Sequence, residues 1–176
     1  EPLNVVVTLP VLKDWVQQVG GAHVRVVSLM TGYESEHTYS PKPSDLVAVR
    51  KAALLFEVGA GLEVWVTSLV KNAGNASLQV ITTSKDIPLI HDQTEPAGDA
   101  HGHAHQAGNP HVWLDPASAA TMVQHIANAM ATADPVHATD YRTNTTIYLQ
   151  TLAQAQEETL GLLKQVPNRA VIVHHP

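Results

Sequence analysis

The chain has 176 residues, with 16 acidic and 10 basic side chains, a net charge of −6 and no cysteine. An acidic chain disfavours nucleic acid as the main partner, and the lack of cysteine excludes disulfides, thiolate zinc sites and cysteine nucleophiles. Hydrophobic residues make up 44% of the chain, enough for a folded core, and no apolar run approaches the roughly 20 residues that span a membrane. Because the chain enters an apolar run directly after Glu1-Pro2, we expect a mature protein without its signal peptide.

Short apolar runs alternate with amphipathic segments in the first half of the chain. They predict strands at 3–9, 23–29, 53–58 and 78–82, and helices after Pro10, after Ser44 as a cap, and directly after Gly61. The strands are apolar on both faces, which is typical of a parallel sheet covered by helices on each side. We therefore predict an α/β lobe with a doubly wound, four-stranded parallel sheet, in which ligands bind beyond the carboxyl ends of the strands.

The second half of the chain predicts a different organisation. Residues 91–110 are rich in Gly, Ala, His and Asp, a composition typical of a flexible loop. Asp115-Pro116 begins a helix with apolar residues at helical spacing, and 135–166 predicts one long helix followed by a new strand in RAVIV. We expect a lobe at 1–134, a connecting helix at 135–166 and the start of an incomplete second lobe at 167–176.

Histidine is the residue type that points to a function, because the chain contains 11 of them. His37 lies among acids and prolines in the loop 32–45, and two prolines restrict the conformations of that loop. His111 lies in NPHVWLDP, where three apolar residues are expected to bury the segment: Val112, Trp113 and Leu114. Taken alone, His37 fits an exposed loop residue somewhat better than a ligand, and His111 is equally compatible with a hydrogen-bonded core residue.

Two further histidine groups occur near the end of the predicted lobe and at the end of the chain. His174 and His175 follow a predicted strand, whose alternation directs at most one of them towards a given site. His101, His103 and His105, in HGHAH, form a flexible set of donors that can bind Zn²⁺, Cu²⁺ or Ni²⁺ weakly. Neutral imidazoles bind Zn²⁺ at about 2.0–2.1 Å in tetrahedral sites, and three of them leave one position for a carboxylate or water.

Three motifs together resemble the metal-binding receptors of ABC importers, the periplasmic or lipid-anchored solute-binding proteins for zinc and manganese. They are GYESEHTYSPKPSDL, LLFEVGAGLEVWV and NPHVWLDP, in this order, with the histidine-rich insert before the last. The resemblance covers residues 3–176. It implies two α/β lobes joined by one long helix, with the metal between the lobes, so that this chain holds the first lobe, the helix and the first strand of the second lobe.

The resemblance also implies the metal ligands. It assigns His37, His111 and His175 to the site, and a shift of one residue would place His174 there instead of His175. The fourth family ligand, an Asp or Glu, belongs to a later part of the second lobe. The histidine-rich insert is typical of zinc members, and three imidazoles favour Zn²⁺, since Mn²⁺ prefers more oxygen ligands.

We therefore predict a receptor, not an enzyme, that lies outside the cytoplasm, in the periplasm or anchored by lipid. It binds Zn²⁺, with Mn²⁺ as the alternative metal, and delivers it to a membrane permease. An isolated lobe is expected to dimerise or to bind metal weakly, because half of its site and one face of its long helix are exposed.

Two other classes of function remain open at this stage. The first is a zinc hydrolase with a three-histidine site and an activated water, for which Glu34 and Glu36 are the nominal general bases. The second is an adhesin built on the same fold. The chain has no GxGxxG, GxSxG or HExxH motif, which disfavours the common nucleotide-binding and hydrolase sites.

Overall fold

The computed structural model describes residues 1–91 and 108–167. Its strands are β1 Leu3–Val7, β2 Val24–Ser28, β3 Leu54–Glu57 and β4 Gln79–Thr82. Its α-helices are α1 Pro10–Gly20, α2 Pro43–Lys51, α3 Val66–Ala73, α4 Pro116–Ala133 and α5 Ala138–Leu163, and short 3-10 turns lie at Gly21–His23, Val112–Leu114 and Pro135–His137. The four strands form one parallel sheet in the order β2-β1-β3-β4, which confirms the predicted fold class.

The direction of winding reverses in the middle of this sheet. The chain moves from β1 to one edge at β2, then crosses back to β3 and on to the other edge at β4. Right-handed crossovers therefore place α1 on one face and both α2 and α3 on the other. The packing agrees, because α1 contacts α4 and α5, whereas α2 contacts α3. The crevice at which such sheets bind ligands opens beyond the carboxyl ends of β1 and β3.

The apolar residues predicted from periodicity form the core. In β1, Val5, Val6 and Val7 are all buried, as expected for a strand covered on both faces. In α4, the six apolar residues at helical spacing are all buried: Ala119, Met122, Val123, Ile126, Ala127 and Met130. Asp115 caps this helix, since its carboxylate accepts the backbone N–H of Ser118 at 2.8 Å.

Two helix starts differ from the sequence prediction. Ser44 is not the cap of α2, because the helix begins one residue earlier, at Pro43, whose fixed φ suits the first helical position. Asp45 instead accepts the backbone N–H of Lys42 at 2.7 Å and ties down this end. α3 begins at Val66 and not directly after Gly61, because the intervening residues form a separate turn.

That turn follows β3 and has an uncommon backbone. Gly59, Ala60 and Gly61 all have positive φ, at 83°, 54° and 80°. A Cβ atom on Gly59 would lie 2.2 Å from Thr82 Cγ2, so glycine is required there for close approach to β4 as well as for conformation. The same atom on Gly61 would meet nothing within 4 Å.

The last helix packs against the lobe along its first half. At 26 residues α5 is about 39 Å long, and Tyr141 and Thr145 are buried in it. Asn144 donates to the Val19 carbonyl at 2.9 Å and fastens α5 to α1, whereas residues 157–167 are exposed. Within residues 1–91 and 108–167, none of the helices combines the length and apolar character needed to cross a membrane.

Candidate metal centre

The loop after β2 carries Glu36 and His37, and hydrogen bonds of the buried Tyr39 hold it in place. The Tyr39 hydroxyl lies 2.8 Å from Asp45 Oδ2 and 3.0 Å from the Leu29 carbonyl oxygen, and burial raises the pKa of this hydroxyl. Tyr39 therefore stays protonated and donates a hydrogen bond that joins the loop to the start of α2. These contacts within the chain hold the loop against the start of α2.

A second contact holds the backbone at the functional residues themselves. The indole N–H of Trp65 donates to the Glu36 carbonyl oxygen at 3.1 Å, and the ring of Trp65 lies 4.8 Å from that of Tyr39. The carbonyl of Glu36 belongs to the peptide unit that joins Glu36 to His37. This hydrogen bond therefore fixes the backbone from which both side chains extend.

Glu34 has a structural role in this loop. Its carboxylate accepts the backbone N–H of Thr31 at 2.9 Å and the Thr31 hydroxyl at 2.8 Å. Those hydrogen bonds lower the pKa of Glu34 to about 2. A carboxylate this weakly basic and already hydrogen-bonded is a poor general base, which counts against the role that the hydrolase hypothesis gave it.

His111 is positioned by the asparagine two residues before it. Asn109 Oδ1 accepts the backbone N–H of His111 at 3.0 Å and lies 2.8 Å from its ring Nδ1. An oxygen that accepts a backbone N–H is an acceptor, so Nδ1 carries the ring proton as donor. The lone pair of the neutral imidazole is then on Nε2, which is the ring atom able to bind a metal.

The apolar residues expected to anchor this segment contribute unequally. Val112 and Trp113 are half-buried against the core, and the Trp113 ring lies 5.2 Å from that of His111. Leu114, in contrast, is 75% exposed, so the expectation that it anchors the segment was wrong. The 3-10 turn formed by these residues directs Leu114 outward just before α4 begins.

The two loops bring three potential ligands together. One donor atom from each of Glu36, His37 and His111 lies within 4.8 Å of the others, which is the single such cluster among the described residues. His111 Nε2 is 3.5 Å from Glu36 Oε1, close to the roughly 3.3 Å that separates two ligands of a tetrahedral Zn²⁺. The side chains of His111 and Glu36 are 11% and 23% exposed, and the Nε2 atoms of His37 and His111 are buried.

The other predicted ligands cannot be placed. His174 and His175, the strand before them, and the histidine-rich group His101, His103 and His105 lie outside the described residues. Their assignment to a metal site stays a prediction. Glu36 was considered at the sequence level only as a general base, although its position directly before His37 was the signal that could have suggested a ligand.

Known proteins resemble this chain in sequence and in fold. Residues 5–176 match the family described as ZnuA, zinc-uptake complex component A, periplasmic. The chain belongs to this family. It is 34% identical over 148 residues to a Treponema pallidum (strain Nichols) protein named for metal binding, which covers 82% of this chain and 47% of that protein. It is 30% identical over 175 residues to the manganese-binding lipoprotein MntA of Halalkalibacterium halodurans, covering 98% and 54%.

A solved structure shares the same fold. A ZnuA deletion mutant with zinc bound superposes with a TM-score of 0.88 at 29% identity, covering 100% of this chain and 64% of that one. The chain spans about half the length of the two curated relatives described above. Membership of the ZnuA family confirms the resemblance inferred from the motifs.

Proposed function

We propose that this chain contributes the metal-binding lobe of a receptor that captures Zn²⁺ outside the cytoplasm and delivers it to an ABC permease. The observation that supports this most directly is the convergence of Glu36, His37 and His111 from two loops at the carboxyl edge of the sheet. Two imidazoles and a carboxylate suit Zn²⁺, and they leave a position for a further ligand. We propose His175 for that position, on the basis of the family resemblance.

Mn²⁺ is the second candidate metal. Glu36 adds an oxygen donor to the site, and oxygen donors favour Mn²⁺ over softer ions. The relative from H. halodurans is named for manganese, whereas the similar solved structure holds zinc. The donor set on this lobe alone has two nitrogens for one oxygen, which is the reason we rank Zn²⁺ first.

The long helix fits the role of a connector between lobes. The first half of α5 packs against α1 and α4, and the later residues are exposed. We propose that residues 135–166 link the lobe 1–134 to a second lobe that begins at 167. Dimerisation of a lobe expressed alone stays a prediction, and light scattering of this chain tests it.

Calorimetric titration with Zn²⁺ and Mn²⁺ tests the proposal. The wild-type chain is expected to bind one Zn²⁺ more tightly than Mn²⁺, and His37→Ala and His111→Ala should each weaken this site by tenfold or more. His23→Ala is the matched control, because His23 precedes β2 and therefore lies at the amino end of the strands, whereas His37 follows β2 at the carboxyl end. Zinc binding that is unchanged in both loop variants would contradict the proposed site.

The pH dependence of binding gives a second test. A metal binds only the neutral imidazole, and unperturbed imidazoles protonate near pH 6.5. Zinc affinity should therefore fall as the pH is lowered from 7 to 5. Affinity that is constant over this range would argue against ligation by histidine.

A further inference from the structure

A buried glutamate lies in the turn between β3 and α3, and the proposed metal site does not use it. Glu63 is only 5% exposed. Its carboxylate accepts three hydrogen bonds, from the Thr8 hydroxyl at 2.7 Å and from the backbone N–H groups of Val58 at 2.8 Å and Gly59 at 2.9 Å. These donors come from the carboxyl ends of β1 and β3, so a single side chain joins the two central strands at the point where the winding reverses.

The turn that Glu63 closes is conformationally costly. A left-handed conformation is unfavourable for a residue with a Cβ atom, and Ala60 adopts one between two glycines that do the same. Burying a carboxylate is also unfavourable unless it is hydrogen-bonded, and burial raises the pKa of Glu63. The three hydrogen bonds compensate for both costs, and they define the turn tightly.

The same turn leads directly to the residue that holds the metal loop. The backbone N–H of Val66 donates to the Glu63 carbonyl at 3.1 Å, which starts α3. Trp65 lies between these two residues and donates its indole N–H to the Glu36 carbonyl. A change in the turn at Glu63 therefore moves the indole, and with it the backbone from which Glu36 and His37 extend.

From these contacts we propose that Glu63 is a positioning residue of the metal site, acting through the turn 58–65 and the Trp65 indole on the loop that carries Glu36 and His37. The proposal rests on the proposed function, because it assumes that this cluster binds the metal. Glu63 is not one of the three clustered donors. It sets the distance between the donors of the first loop and His111, which belongs to a different segment.

Zinc titrations of Glu63→Gln and Trp65→Phe in the full chain test this relay. Glu63→Gln presents an amide N–H group in place of one acceptor oxygen, and Trp65→Phe keeps an aromatic ring but removes the indole N–H. Each is expected to weaken zinc binding about tenfold, the lower end of what residues behind metal ligands contribute. The visible absorption of bound Co²⁺ should change in both variants, because the geometry of the donors changes.

The double variant separates positioning from a general loss of structure. If Glu63 acts through the indole, Glu63→Gln should have little further effect on zinc affinity in the Trp65→Phe background. The matched control is Glu57→Gln, which changes a half-buried carboxylate at the end of β3 that accepts a hydrogen bond from the Thr82 hydroxyl at 2.9 Å. It should lower thermal stability and leave zinc affinity and the Co²⁺ spectrum unchanged.

Several results would overturn the proposal. The proposal is wrong if either single variant binds zinc with the wild-type affinity. It is also wrong if the losses of zinc affinity in the two single variants add up in the double variant. If Glu63→Gln does not fold, Thr8→Val, which removes one donor to the carboxylate, replaces it in the same cycle. The proposed function fails in a different way, since then His37→Ala and His111→Ala would also bind zinc like the wild type.

Discussion

Replacing Asn109 with alanine should weaken zinc binding without unfolding the lobe. The Asn109 side chain accepts from both the backbone N–H and the ring Nδ1 of His111. Without this acceptor, the neutral imidazole can carry its proton on Nε2, the atom that faces Glu36, and the ring can rotate away. Binding the metal must then restore the correct tautomer and orientation at a cost in free energy.

The size of the effect follows from the two hydrogen bonds. Each contributes about 1 kcal/mol, but the backbone bond is made in the free and the bound protein alike and largely cancels. The ring bond is strengthened when Nε2 binds a cation, so we expect a loss of about 1.4 kcal/mol, or tenfold in affinity. Asn109→Asp keeps the acceptor and should retain the affinity.

Competition with a chromophoric zinc chelator measures this difference. Asn128→Ala is the matched control, because Asn128 lies on the exposed face of α4 and its contact with Gln124 is at the surface. Circular dichroism of the metal-free proteins should be the same for all variants. Zinc affinity of Asn109→Ala within twofold of the wild type would refute the argument that this asparagine sets the tautomer of His111.

Three further predictions concern stability. The Tyr141 hydroxyl donates to Asp134 at 2.6 Å, and this hydrogen bond lowers the pKa of the Asp134 carboxyl. Tyr141→Phe removes the hydroxyl and should lower the free energy of unfolding by about 1.5–3 kcal/mol at pH 7. Since a lowered pKa stabilises the fold only while the carboxyl is ionised, the difference from wild type in urea unfolding should shrink below about pH 4, and a constant difference would contradict this. Ile126→Ala, in the buried face of α4, should lower the free energy of unfolding by about 2–5 kcal/mol, and a loss under 1 kcal/mol would show that the site is not packed. Gly59→Ala should lower the thermal midpoint far more than Gly61→Ala, because only the first clashes with β4; equal losses would mean that backbone strain alone matters.

The regular parts of this fold were readable from the sequence. Helical spacing of apolar residues identified the buried face of α4 completely, because a 3.6-residue period maps directly onto one side of a helix. Continuous apolar runs such as Val5–Val7 indicated strands covered on both faces, and that pattern specified a parallel sheet. These features depend on neighbours in the chain, which is the information that a sequence shows.

The parts that were missed depend on contacts between distant residues. Nothing near Glu63 in the sequence reveals that its carboxylate reaches Thr8, so α3 was predicted to begin too early. His37 and His111 were singled out as candidate ligands and lie together in the structure, but the place of Glu36 beside them appears only when the two loops meet. For Asn109 the signal was present, since an asparagine before proline often bonds the backbone two residues on.

Because the donors are far apart along the chain, the stability of the folded lobe would depend on the supply of metal. Glu36 and His37 precede β3 and β4, whereas His111 follows both, so the cluster cannot form before the sheet is complete. An ion that binds only the folded lobe stabilises it by mass action, by about 2.7 kcal/mol when the free ion is at 100 times its dissociation constant. With the metal site proposed above, metal starvation would make the molecule easier to unfold and to degrade, and the amount of folded protein that survives would report how much metal its surroundings contain.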